Sequence, residues 1–70
     1  MENINIRFSK RLKILRKKRK LTQEGLAQAS GLDYKYIQRL EGNKPSSPTL
    51  NSLQKLAKAF DITVSELIDL

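Results

Sequence analysis

TQEGLAQASGLDYKYIQRL, running from Thr22 to Leu40, is the stretch that decides the fold. It reads as two short helices joined by a tight turn. Leu26, Ala27 and Ser30 share one face by the three-and-four spacing of a helix. Gly31 stops that helix, because glycine tolerates the left-handed backbone that a sharp turn needs. Asp33 then stands where its side chain can accept from the first free N–H groups of a second helix. Ile37 and Leu40 give that helix an apolar stripe. Lys35, Gln38 and Arg39 fall opposite it, so the second helix has one anchoring face and one basic, hydrogen-bonding face. Ala27 sits where the two helices should cross, and a larger side chain there would push them apart.

The flanking segments continue the helical pattern. Met1 to Asn5 reads as a short polar arm. Ile4, Phe8, Leu12 and Leu15 form one face of a first helix, with Ile14 off the stripe and half exposed. That helix ends near Lys18 to Lys20, where its cations suit the negative end of the helix dipole. Thr22 is the expected N-cap of the next helix. After a loop from Gly42 to Ser47, the pair Ser47-Pro48 fits a cap followed by proline at the first helical position. Leu50, Leu53, Leu56, Ala57 and Phe60 make the stripe of a fourth helix. Thr63 to Glu66 matches a capping box, which starts a fifth helix with Val64, Leu67 and Ile68 as its apolar face. The expectation is one all-α domain over residues 1–70, five helices around one small core, with the helix-turn-helix unit at about 22–41.

Composition narrows the function. The chain has no cysteine and no histidine, which removes disulfides, thiolate metal sites and imidazole acid–base chemistry. Neither a metal site nor a cofactor is expected, and with no Gly-rich phosphate loop or paired carboxylates the chain does not read as an enzyme. No apolar run approaches the ~18 residues of a membrane span, so a cytoplasmic protein is the default. The net charge of +7 is uneven. Residues 1–20 hold nine Lys/Arg against one Glu, whereas the last ten hold Asp61, Glu66 and Asp69 and no cation. A basic front of this kind fits a polyanion partner approached from one side.

Gln23, Leu26, Ala27, Gly31, Ile37, Leu40 and Glu41, set among these flanking helices, carry a resemblance to the Cro-type (Xre) helix-turn-helix family of phage repressors and small bacterial regulators. The likeness spans about Phe8 to Leu67. It implies a lambda-repressor-like five-helix DNA-binding domain, bacterial or phage-encoded, that regulates transcription as a repressor or a small activator–repressor. Gly25 departs from the helix former usual in the family, at a cost of roughly 1 kcal/mol of helix propensity. The family also implies a structural ion pair between Arg16 and Glu41, both placed at the rim of the core.

A helix-turn-helix uses its second helix as a probe in the major groove, which admits one α-helix. The residues placed to read bases are Asp33, Tyr34, Lys35, Gln38 and Arg39. Arg39 or Lys35 can donate to guanine, Gln38 can pair with adenine, and Tyr34 offers a hydroxyl and a ring to a thymine methyl. In the family, the positions of Tyr34, Lys35 and Arg39 carry base contacts. Small polar residues are commoner where Tyr34 and Tyr36 stand, and packing against a neighbouring element is the competing role for both. Arg11, Lys17, Gln23, Asn43 and Lys44 are the candidates for phosphate contact. Simple capping competes for Gln23, turn chemistry for Asn43 and Lys44, and dipole compensation for the RKKRK run from Arg16 to Lys20.

One recognition helix covers too few base pairs to single out a genomic site. A homodimer on a palindromic double-stranded operator is therefore expected. Leu67, Ile68 and Leu70 of the acidic C-terminal segment are the candidate interface, against the alternative that they close the core. A module of the antitoxin type, with a toxin protein as its main partner and its own promoter as a second target, is the rival function. Co-purification from the native host separates the two. A basic patch for membrane or RNA is a third reading, and it predicts no preference among DNA duplexes.

Overall fold

A computed structural model describes residues 2–70. Five helices follow one another: α1 over Ile4–Lys18, α2 over Gln23–Ser30, α3 over Tyr34–Leu40, α4 over Leu50–Phe60 and α5 over Val64–Leu67. No strand occurs among the described residues. Each helix opens on a polar cap. Asn3, Thr22, Asp33, Thr49 and Thr63 sit in extended backbone, and each side chain accepts from an N–H of the following turn. The α5 cap is a full capping box, with Glu66 accepting in return from the Thr63 N–H.

The caps correct two expectations. Asn3 starts α1, so Ile4 and Asn5 are helical and do not belong to a polar arm; Met1 lies outside the described residues. Ser47-Pro48 does not open α4. Thr49 does, because its hydroxyl accepts from the Ser52 N–H at 3.1 Å and Leu50 is the first helical residue. Proline stands just ahead of the cap, where its missing N–H costs nothing.

Stops follow from backbone handedness. Gly31 takes φ 75° and closes α2. Two non-glycine residues adopt the same region: Lys20 (φ 56°) after α1 and Asp61 (φ 58°) after α4. Reversal at Lys20 lets the Leu21 N–H reach back to the Arg16 carbonyl at 3.1 Å, satisfying a free oxygen of the last helical turn. Gly25 has a local reason as well. A Cβ there would lie 3.2 Å from the Thr22 Oγ1 and 3.5 Å from a Leu21 methyl, crowding the cap that starts α2.

One apolar cluster draws on all five helices: Phe8 and Leu12, Leu26 and Ala27, Ile37 and Leu40, Leu56, Ala57 and Phe60, and Leu67. α2 packs on α3 and α4, and α4 packs on α5. Small Ala27 sits within this cluster, on the helix that both neighbours approach. Two stripes overrun it. Ile4 is 65% exposed and Leu50 83% exposed, although both continue the buried faces of their helices. Each occupies the first turn of its helix. Ile14 is exposed, as its place off the α1 stripe requires.

Candidate nucleic-acid interface

The recognition unit is set by α3. Ile37 and Leu40 are fully buried against α2 and the rest of the core. Tyr36 turns the same way: its hydroxyl donates to the Ser52 Oγ at 2.9 Å on α4, so its role is packing. The opposite face carries Tyr34, Lys35, Gln38 and Arg39, all exposed. Gln38 Nε2 donates to the Tyr34 hydroxyl at 3.1 Å, one turn away. Asp33 is exposed beside them, and its Oδ1 accepts from the Lys35 N–H at 2.9 Å. That bond occupies Oδ1 of the carboxylate in capping.

Behind this face lies a buried polar lock. Glu41 follows α3 and is 4% exposed. Its Oε2 accepts from Arg16 Nε at 2.8 Å, and its Oε1 accepts from Arg16 Nη2 at 3.0 Å. Arg16 Nη1 donates to the Leu21 carbonyl at 2.8 Å. Gln23 completes the network by donating its amide Nε2 to Glu41 Oε1 at 3.2 Å. The start of α2, the end of α3 and the end of α1 are thereby held by one carboxylate. A two-pronged guanidinium–carboxylate pair fixes orientation as well as separation. Gln23 is half-buried and keeps one amide proton for an outside acceptor. Its link to Glu41 was not readable from the sequence, because 18 residues separate the two.

The other candidates fall in different places. Lys17 is exposed at the end of α1, beside Lys18, Arg19 and Lys20, and among the described residues none of these has a carboxylate partner. Asn43 and Lys44 are exposed in the turn after α3 and border Asn3 and Ile6 at the start of α1. Arg11 is used differently from the expectation of a phosphate contact. Its Nη2 donates to the Glu66 carbonyl at 2.7 Å, and its Nε is buried without a partner. It ties α1 to α5. One turn earlier Arg7 ties α1 to the segment after α5, donating to the Leu70 main-chain oxygen.

The proposed interface residues divide. Leu67 is 0% exposed and belongs to the core, so it leaves the surface set, and Val64 of the same helix packs against that core partly buried. Ile68 is 44% exposed and Leu70 half-buried. They line a shallow apolar groove together with Ile4, Phe8, Pro48 and Leu53. Among the described residues no cluster of acidic side chains could hold a metal ion, and no helix is long and apolar enough to cross a membrane.

Comparison with known proteins agrees with this geometry. A helix-turn-helix family model matches residues 12–67. The control protein C.MunI of a Mycoplasma species is 41% identical over 68 residues, covering 96% of this chain and 90% of its own. The immunity repressor of Bacillus phage phi105 is 38% identical over 58 residues, and there the match spans 40% of the longer repressor. Among solved structures, the restriction-modification controller protein C.AhdI of Aeromonas hydrophila superposes with a TM-score of 0.83 at 40% identity, over 90% of this chain and 94% of that one. With α2 and α3 as its helix-turn-helix and α1, α4 and α5 as the frame, the chain belongs to the Cro-type (Xre) helix-turn-helix family of DNA-binding transcriptional regulators.

Proposed function

We propose that this chain is a restriction-modification controller of transcription that reads double-stranded DNA as a homodimer and represses by occupying its operator. The two-faced α3 carries the reading: Ile37 and Leu40 anchor it, and Tyr34, Lys35, Gln38 and Arg39 are exposed on the far side. The two controllers match this chain over nearly their whole length, whereas the phage repressor is far longer.

In this reading α3 enters the major groove and its exposed side chains meet base edges. Gln23, Asn43, Lys44 and Lys17 reach the phosphates. The nine cations of the first 20 residues draw the protein to DNA from a distance. The longest dimension of the molecule is 32 Å, with a single reading helix. Two successive major-groove faces on one side of DNA lie about 34 Å apart. A second copy is therefore needed to read both, and the groove at Ile68, Leu70, Ile4 and Leu53 supplies the apolar surface for pairing. Selection from random duplexes at about 0.15 M salt tests the proposal. The expected product is a twofold-related pair of half-sites. Recovery of no enriched sequence would exclude a sequence-specific regulator.

A further inference from the structure

Two tyrosines stand on α3, and their hydroxyls do different things. Tyr36 is turned into the fold and bound to Ser52. Tyr34 is 38% exposed, and its hydroxyl accepts from Gln38 Nε2 at 3.1 Å on the outer face of the helix. A free glutamine on a helix surface samples many rotamers, and fixing it on a base costs that freedom. Bonding to Tyr34 removes part of the cost beforehand.

The bond also selects what Gln38 can read. A carboxamide has two N–H donors and one oxygen acceptor. When Tyr34 holds the N–H that points away from Oε1, the other N–H and the Oε1 acceptor remain side by side. Adenine presents the matching pair in the major groove, an N6 donor beside the N7 acceptor. Guanine presents two acceptors, which would set Oε1 against O6.

We propose that Tyr34 is a positioning residue whose hydroxyl orients the Gln38 amide, so that each α3 reads adenine at one position of its half-site. The proposal rests on α3 being the base-reading helix. Its rival is a pair that stabilises the helix and nothing more.

Random-duplex selection and titration of four proteins test it: wild type, Tyr34→Phe, Gln38→Ala and the double variant. Tyr34→Phe keeps the ring and removes the hydroxyl. Its expected effect is to reduce preference for adenine at one position from about tenfold or more to a few-fold. The loss should be concentrated at the position that Gln38→Ala affects. Gln38→Ala should remove the preference at that same position, and the double variant should match Gln38→Ala. A wild-type motif left intact by Tyr34→Phe overturns the proposal, as does a loss at a position that Gln38→Ala does not affect. A loss shared equally by all positions, tracking a fall in helicity, assigns the bond to helix stability and also overturns it. If wild type itself selects no motif, the failure lies in the reading of α3.

Discussion

Glu41 receives Arg16 on both carboxylate oxygens, at 2.8 and 3.0 Å, and still accepts from Gln23 at 3.2 Å. The carboxylate side chain is 2% exposed and the guanidinium side chain 13% exposed. Such a pair is costly to break from one side, because the remaining charge stays buried without its partner. Arg16→Met should therefore cost about 3–5 kcal/mol of stability. Changing both residues, Arg16→Met with Glu41→Leu, should restore much of that loss. Urea denaturation of the three proteins checks it; equal losses for the single and double variants would show that the pair is not the source.

Arg39 and Lys17 separate base reading from phosphate attraction. Arg39 is exposed on the face of α3 opposite Ile37 and Leu40, whereas Lys17 lies at the end of α1. Arg39→Ala should cost ~1–3 kcal/mol on the preferred site and much less on random DNA. Lys17→Ala should weaken both by similar factors. If Lys17 touches a phosphate, the slope of log K against log salt should fall by about one. Titrations at several salt concentrations measure both, and equal losses for Arg39→Ala on the two duplexes would place Arg39 on the phosphates.

Leu67 and Ile68 are neighbours with opposite consequences. Leu67 fills the core, so Leu67→Ala should destabilise the fold by about 2–5 kcal/mol through the lost burial and the cavity left behind. Ile68→Asp should leave the melting of dilute protein nearly unchanged and shift sedimentation from dimer to monomer. A dimer that survives Ile68→Asp would move the interface away from this groove.

Acid should weaken the cap of α5. Two bonds from Thr63, one from its main-chain N–H and one from its hydroxyl, hold the Glu66 carboxyl below its ordinary value of 4.5; the nearby Arg11 charge acts in the same direction. A carboxylate with a lowered folded-state value stabilises the fold above that ordinary value, and the contribution disappears as pH falls through the folded one. The stability advantage of wild type over Glu66→Gln should therefore be full at neutral pH and shrink progressively below pH 4.5. Thermal melts of both proteins between neutral pH and the acid limit check the direction. An advantage independent of pH would remove Glu66 ionisation from the account.

The order of helices, their caps at Thr22, Asp33 and Thr63, the stop at Gly31 and the two faces of α3 were written in the sequence. All of these depend on residues within a turn or two of one another, where the spacing of side chains along a helix is fixed by backbone geometry. Arg16 and Glu41 were legible only through the family pattern. What the tertiary structure decided was where each stripe meets a neighbour. Ile4 and Leu50 continue buried faces yet lie outside the core, Leu67 goes inside while Ile68 stays out, and Arg11 turns to the Glu66 carbonyl. It also placed Gln23 on Glu41 across 18 residues. Periodicity reports the direction of a side chain around its own helix; whether another element stands there is fixed only when all five helices pack together.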